Sequence, residues 1–213
     1  IDGSMIMGYG HDDRVCAFTS LMAMLDLERV EKTACCILVD KEEIGSAGAT
    51  SMESRFFENS LAEAMELREG YSELKLRRAM SRSRMLSSDV SAAYDPMFGD
   101  VFEKRNAAYF ANGIVFNKYT GSKGKSRSND ANAEYMAALR AIMERNDVAF
   151  QTAELGKIDA GGGGTIALIL ANYGMEVIDS GVAVLCMHAP WEIVSKADVY
   201  EAVKCYRSFL KEA

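Results

Sequence analysis

The chain has 213 residues, of which 49% are hydrophobic, 26% are charged and only two are proline, a composition typical of an ordinary folded domain. Its formal net charge of −7 argues against nucleic acid or an anionic membrane surface as the main partner. No apolar run approaches the roughly 20 residues that a membrane-spanning helix needs. We therefore expect one domain with a substantial core over residues 1–213.

The first part of the chain alternates short apolar runs with helical patterns. Residues 5–9 predict a strand, and residues 14–30 predict a helix because their apolar positions recur at helical spacing. The β-branched, apolar run 33–39 predicts a buried strand. Residues 49–84 predict two helical pieces that are broken near Gly70.

The rest of the chain continues this alternation, with a polar segment at 120–129 that is typical of a flexible loop. Strands are predicted over 85–90, 114–119, 148–152 and 182–187, and helices over 131–145, 165–172 and 196–210. Strands that alternate with helices indicate an α/β fold. We expect a three-layer sandwich in which helices cover both faces of a central mixed, mostly parallel sheet.

Two adjacent carboxylates, Glu42 and Glu43, follow the predicted strand 33–39. In α/β sheets the carboxyl ends of strands are where ligands and catalytic groups collect. Two neighbouring carboxylates there can divide the work, one binding a metal and the other moving a proton. A solvated, acidic turn explains the same residues, and the stretch alone leaves both interpretations open.

Further polar residues lie at or just after the ends of other predicted strands, namely Asp12, Asp89 and His188. One sheet can bring them and the two glutamates to a common edge. Carboxylates and imidazole are ligands that suit zinc, manganese or cobalt. A lone histidine after a strand is more often structural, and spacing does not prove that these positions converge.

Four glycines, residues 161–164, precede Thr165 at the start of a predicted helix. Glycines let the backbone approach a ligand closely, and a helix N-terminus offers free N–H groups to an anion or a carbonyl oxygen. A flexible turn explains the run equally well.

The cysteines are odd in number, two of them are adjacent, and all lie in apolar runs: Cys16, Cys35, Cys36, Cys186 and Cys205. This pattern favours reduced, buried thiols over a disulfide framework. It predicts a cytoplasmic protein.

In these motifs the sequence resembles the aspartyl aminopeptidase-like zinc metallopeptidases. The resemblance extends over essentially all 213 residues and corresponds to the C-terminal part of the family's catalytic domain. The segments that carry it are Gly10–Arg14, Asp40–Ser46, Ser88–Val90, Gly164–Ile166 and Met187–Glu192. The Glu-Glu-Ile-Gly-Ser and Met-His-x-x-x-Glu pieces are specific in this order, whereas the others are individually weak.

The resemblance implies an aminopeptidase that removes N-terminal residues from peptides with two divalent metal ions, zinc or else manganese or cobalt. Asp12 would bridge both ions, Asp89 would complete one site, and Glu43 and His188 would hold the other. Glu42 would be the general base that acts on the attacking water. The roles of these residues are expectations carried over from the family.

The resemblance also implies a substrate pocket for peptides. Gly163, Gly164 and Thr165 match the place where the family lines this pocket. Asp159 and Lys118 are weaker candidates for the same role.

One departure from the family concerns completeness. Family members supply a further histidine ligand and a nearby aspartate from an N-terminal segment, which the matched part lacks. The other histidine, His11, adjoins Asp12, and we expect its ring to point away from the ligands. We therefore expect a fragment that binds one metal well and the other poorly without the N-terminal segment of the same protein. That absent part also includes the dimerisation insertion, and the family implies a homo-oligomer built from dimers, up to a dodecamer.

A second departure concerns specificity. Family members that act on acidic N-terminal residues carry a histidine three positions after Asp89, where this chain has Ala92. A preference for N-terminal Asp or Glu is therefore not implied. Two other functions stay open, namely a non-catalytic scaffold subunit with a vestigial site and a related two-metal amidohydrolase such as a deacylase.

Overall fold

The computed structural model describes residues 3–123 and 125–213. Its helices are α1 His11–Leu25, α2 Phe56–Glu69, α3 Glu73–Ser81, α4 Ala133–Arg145, α5 Ala167–Ala171 and α6 Lys196–Glu212. Its strands are β1 Met5–Gly8, β2 Arg84–Ser88, β3 Ser91–Ala92, β4 Ile114–Asn117, β5 Tyr119–Ser122, β6 Ser126–Asp130, β7 Phe150–Ala153, β8 Glu176–Gly181, β9 Ala183–Leu185 and β10 Glu192–Ser195. Short 3₁₀ turns cover Glu42–Ile44 and Pro96–Val101. Among the helices of this described part, none has the length and apolar character needed to cross a bilayer.

The strands form mixed sheets. One sheet has the order β1-β10-β9-β3, a second has the order β2-β8-β4-β7, and β5 pairs with β6 in a hairpin. In the first sheet β3 and β9 are parallel, whereas β10 is antiparallel to both of its neighbours. In the second, β2–β8 and β4–β7 are parallel and β4–β8 is antiparallel. The predicted α/β fold with a mixed sheet is confirmed.

Strand β8 illustrates how helices cover both faces of its sheet. Successive residues of a strand point to opposite faces, and Val177 and Ile178 accordingly pack in different cores. The core around Ile178 contains side chains of α1, α4 and α6, and the core around Val177 contains those of α3 and α5. This layering of helix, sheet and helix is the sandwich that the sequence predicts.

Side-chain caps define where two of the predicted helices begin. The Ser195 hydroxyl accepts a hydrogen bond from the Asp198 amide at 3.5 Å at the start of α6. The Asn132 side chain likewise accepts from the Tyr135 amide at 2.7 Å at the start of α4. Gly70 ends α2 with a φ of 78°, a conformation that favours glycine, and the chain then turns into α3. Both helices and the break near Gly70 are confirmed.

The strand predicted over residues 33–39 is not formed. No strand in 3–123 or 125–213 pairs with this segment, and Leu38 is 56% exposed. An apolar, β-branched run becomes a strand only where a neighbouring strand completes its backbone hydrogen bonds. Glu42 and Glu43 therefore follow an extended segment, and the prediction that they end a buried strand is wrong.

Other element boundaries also differ from the predictions. Helix α1 ends at Leu25 instead of continuing to residue 30. The predicted loop 120–129 forms most of the β5–β6 hairpin, because polar Ser and Asn residues can pair in strands although they carry a weak strand signal. The short strands β3 and β10 and the longer β8 have no counterpart among the predicted elements.

The five cysteines are unpaired, as predicted, but they are not all buried. Cys16 and Cys205 are fully buried, whereas Cys35 and Cys186 are exposed. Cys35 lies in the segment that does not form its predicted strand, and Cys186 leaves β9 with a φ of 59°. The expectation of burial is wrong for these two thiols.

Candidate metal centre

The predicted metal ligands lie after strands or within a turn. Asp12 follows β1, with Gly10 turning the chain at a φ of 71°. Asp89 comes directly after β2, and His188 follows β9. Glu43 lies in the 3₁₀ turn Glu42–Ile44. Asp12 has non-helical backbone angles, φ −80° and ψ 111°, although it lies within the bounds of α1.

The first group of potential metal ligands consists of Asp12, Glu43 and His188. The Nε2 atom of His188 lies 2.9 Å from Asp12 Oδ2 and 3.4 Å from Glu43 Oε2. One donor atom from each residue lies within 4.8 Å of the others, which is close enough to hold one ion. The structure thus brings together three residues that are far apart in the sequence.

The second group consists of Asp12, Asp13 and Asp89, whose donor atoms also lie within 4.8 Å of one another. Asp12 belongs to both groups, so the two possible ion positions are adjacent. Asp13 is absent from the predicted ligands. The only feature of the sequence that could have indicated Asp13 as a ligand is its position next to Asp12. The sequence does not show the turn that brings both carboxylates into the cluster.

The carboxylates of this centre are partly desolvated and repel one another. Burial, together with the neighbouring Glu43, raises the pKa of Asp12 to about 6. Burial raises the pKa of Asp13 to about 8, with Asp12 adding to the effect. Burial and the charge of Asp13 also raise the pKa of Asp89 well above its ordinary value. Desolvated carboxylates that repel one another favour a bound cation.

The donor set fits divalent metal ions. Carboxylate oxygens and an imidazole nitrogen are ligands of zinc and of manganese. Within residues 3–123 and 125–213, no lysine or arginine forms an ion pair with Asp12, Glu43 or Asp89. The negative charge of the cluster is therefore left for a cation to balance.

Glu42 lies beside this cluster, but neither ligand group in the described part of the chain includes it. It is half-buried, and burial followed by the charge of Glu43 raises the pKa of Glu42. Successive residues of a 3₁₀ turn point about 120° apart. The turn, rather than the end of a strand, is what separates the directions of Glu42 and Glu43.

The glycine run packs against the β5–β6 hairpin. The Gly163 carbonyl accepts a hydrogen bond from the Gly121 amide at 2.8 Å. A Cβ atom on Gly164 would lie 2.5 Å from the carbonyl oxygen of Arg127, so a side chain does not fit there. This close approach alone explains why residue 164 is glycine, so the glycine is not evidence for a bound ligand.

The Thr165 hydroxyl belongs to a buried polar network. It donates to the Asp179 carboxylate and lies 2.7 Å from the Ser87 hydroxyl. Asp179 is 2% exposed and also accepts from Thr120 at 3.2 Å. The threonine therefore connects the glycine run to β8 and β2, and a role in the substrate pocket stays a prediction.

The weaker pocket candidates are not part of either ligand group described above. Asp159 is exposed, with a φ of 68°. Lys118 forms an ion pair with Asp130 at the base of the hairpin. His11 is also outside both groups, as expected, and its Nε2 atom is buried without a hydrogen-bond partner.

Comparison with known proteins shows which family the chain is similar to. The family model described as aminopeptidase I zinc metalloprotease (M18) matches residues 1–210. The chain is 64% identical over 209 residues to a probable M18 family aminopeptidase 1 of Clostridium acetobutylicum, covering 98% of this chain and 45% of that protein. It is 43% identical over 213 residues to the corresponding protein of Thermotoga maritima, covering 100% of this chain and 47% of that protein. The chain thus spans about half the length of these relatives.

Solved structures show the same fold. Aminopeptidase I from Clostridium acetobutylicum superposes with a TM-score of 0.90 at 63% identity, covering 98% of this chain and 44% of that one. The M18 aminopeptidase of Thermotoga maritima gives a TM-score of 0.95 at 41% identity, covering 99% and 47%. The mApe1 dodecamer of Saccharomyces gives 0.78 at 22% identity, covering 97% and 45%, and shows likeness of fold alone.

Proposed function

Because this chain belongs to the aminopeptidase I family of zinc metalloproteases (M18), we propose that it forms the catalytic part of a metal-dependent aminopeptidase. The observation that supports this most is the pair of ligand groups that share Asp12. A carboxylate shared by the two groups keeps the two ion positions next to each other, and two neighbouring metal ions are what two-metal hydrolysis of a peptide bond uses.

In the proposed site, Asp12 would contribute to both ion positions, Glu43 and His188 would hold one ion, and Asp89 would hold the other. Bound divalent cations supply a Lewis acid for the peptide carbonyl and lower the pKa of the attacking water. Zinc is the expected metal, with manganese or cobalt as alternatives. Asp13 extends the second group and is proposed to add negative charge there.

Glu42 is the proposed general base. Its carboxylate takes a proton from the attacking water as the new C–O bond forms, and it returns a proton to the amine nitrogen as the C–N bond breaks. Burial raises the pKa of Glu42, which helps this carboxylate to hold the proton between the two steps.

The proposed substrates are peptides with a free N-terminus. We propose that Gly163, Gly164 and Thr165 line the pocket for the N-terminal residue, with Asp159 and Lys118 at its margin. Ala92 occupies the position where relatives specific for acidic residues carry histidine, so no preference for Asp or Glu is proposed.

The remaining partners follow from the length of the relatives. The chain spans 45–47% of the first relatives, and we propose that a further ligand comes from the N-terminal segment of the same protein. A homo-oligomer is proposed from the family resemblance, and the mApe1 dodecamer is an example of such an assembly in a protein of the same fold. A cytoplasmic location stays a prediction, which rests on the unpaired cysteines.

A comparison of two peptides tests the reaction class. The full natural chain, loaded with zinc, manganese or cobalt, should release amino acids from a peptide with a free amine and leave the N-acylated peptide intact. Removal of the acyl group instead would identify a deacylase. Hydrolysis of neither peptide, with less than one tightly bound metal per chain, would identify a scaffold subunit.

A further inference from the structure

Glu192 connects the backbones of two proposed metal ligands. Its carboxylate oxygen Oε2 accepts a hydrogen bond from the Asp12 amide at 2.9 Å, and Oε1 accepts one from the His188 amide at 2.7 Å. The side chain is only 2% exposed. One buried carboxylate thus bridges residues that are 176 positions apart, 12 and 188.

The position of Glu192 in the sheet makes this bridge possible. It begins β10, which lies between β1 and β9. Strand β1 leads to Asp12, and β9 leads to His188. The side chain therefore starts from the strand between the two that deliver the ligands.

Asp12 and His188 have backbone angles that do not belong to a regular helix or strand. Asp12 has a ψ of 111° inside the bounds of α1, and His188 has a φ of 66°. An amide that is shielded from water and has no hydrogen-bond partner destabilises the conformation that holds it. A carboxylate offers an oxygen to each amide, and hydrogen bonds to a charged acceptor are stronger than those to a neutral one.

We propose that Glu192 is a positioning residue that holds Asp12 and His188 at the separation needed to bind one metal ion. The inference rests on the proposed function, because it concerns the metal site of that function. It differs from the proposed ligand roles, since Glu192 supports two ligands through their backbones and contributes no donor atom itself.

The test compares Glu192→Gln with Asp198→Asn in the full natural chain. Asp198 is a matched control, because it is also fully buried. Its carboxylate likewise accepts hydrogen bonds from two backbone amides, that of Ala111 at 2.9 Å and that of Gly113 at 2.8 Å. A glutamine offers one acceptor oxygen and turns an NH₂ group toward the second amide. Both variants therefore lose a similar buried interaction.

The experiment measures Co²⁺ binding in two ways, with calorimetry for the affinity and visible absorption for the environment of the bound ion. Glu192→Gln should weaken Co²⁺ binding by about 10–100-fold, the range found when residues that support metal ligands are replaced, and change the absorption spectrum. Asp198→Asn should lower thermal stability and leave Co²⁺ affinity and spectrum unchanged. Wild-type affinity and spectrum in folded Glu192→Gln would overturn the inference, whereas absence of Co²⁺ binding by the wild type would overturn the proposed function.

Amide hydrogen exchange in the wild-type protein decides the question if Glu192→Gln does not fold. The amides of Asp12 and His188 should exchange slowly even before metal is added, because the carboxylate already pairs both of them. Exchange as fast as that of an exposed loop amide would overturn the inference.

Discussion

Adjacent carboxylates have different surroundings in this protein. Glu43 places an oxygen 3.4 Å from His188 Nε2, whereas Glu42 is half-buried beside the ligand groups with a raised pKa. The 3₁₀ turn gives each side chain its own direction, so one substitution at each position should distinguish the proposed metal ligand from the proposed general base.

We expect Glu42→Gln to lower kcat by about 10²–10⁴-fold, the contribution typical of a general base, while metal content stays unchanged. Glu43→Gln should instead weaken metal binding at least about tenfold, because it replaces a donor atom and not only its support. Metal analysis after gel filtration, paired with peptide hydrolysis, measures both. Loss of metal in Glu42→Gln would contradict the assigned roles.

Asp179 gives a second prediction, which concerns stability. Burial raises the pKa of Asp179 from 3.8 to about 6, although Thr165, Thr120 and Asn129 donate hydrogen bonds to it. Because the pKa is higher in the folded state, the stability due to this group is complete below about pH 4 and is lost as pH rises through about 6.

Asp179→Asn should remove this pH dependence. The free energy of unfolding of the wild type minus that of the variant should fall by up to about 3 kcal/mol between pH 4 and pH 7. Urea denaturation at a series of pH values measures this difference. A difference that stays constant with pH would contradict the raised pKa.

The residues of the site were predictable to different degrees. Asp12, Asp89 and His188 follow short apolar runs, so residue type and position indicated them before any geometry was known. Asp13 was not predictable, because its role depends on a local turn. Glu192 belonged to a recognised motif, but its contact with two distant amides depends on the order of strands in the sheet.

At the scale of elements, the glycine run and the β5–β6 hairpin are in close backbone contact. A Cβ atom on Gly164 would lie 2.5 Å from a carbonyl oxygen, whereas one on Gly163 would meet the side chain of Leu155 at 3.1 Å. A flexible side chain can move aside more easily than a backbone carbonyl within the hairpin.

We therefore expect Gly164→Ala to destabilise the fold by about 1–3 kcal/mol, the usual effect of overpacking. Gly163→Ala is the matched control and should have a smaller effect, since neither position has a positive φ. Thermal and urea denaturation of both variants measure this. Equal destabilisation would mean that the close approach to the hairpin does not determine the choice of glycine.

Elements with strong local signals were predicted better than elements that depend on neighbours. Helices α4 and α6 carry amphipathic patterns and side-chain caps, so their bounds follow from the sequence. Residues 33–39 carry an equally clear strand pattern, but no described strand pairs with them. The β5–β6 hairpin is the opposite case. Its polar residues carry a weak strand pattern, but they form strands because the two segments pair with each other.

At the scale of the whole molecule, the proposed metal site should link metal binding to stability. The raised pKa values of Asp12, about 6, and Asp13, about 8, imply that stability due to these groups is lost as pH rises through those values in the metal-free chain. A divalent cation competes with protons for the same carboxylates.

We expect added Mn²⁺ or Zn²⁺ to raise the free energy of unfolding more at pH 8 than at pH 5. The same metal concentration is used at both pH values, and 100 times the dissociation constant measured at pH 8 should contribute about 2.7 kcal/mol at pH 8 and less at pH 5. Denaturation with and without metal at both pH values measures this, with Mg²⁺ as the comparison ion. Equal stabilisation at both pH values would show that the ion binds away from the cluster.

The central claim is that the cluster around Asp12 is the metal site of an aminopeptidase. Amino-acid release from an unblocked peptide, measured against bound metal per full-length chain, tests it most directly. We predict no release by metal-free protein and a rise in activity as zinc, manganese or cobalt is restored, up to two ions per chain. Full activity without metal, or no release by the fully loaded protein, would contradict the claim.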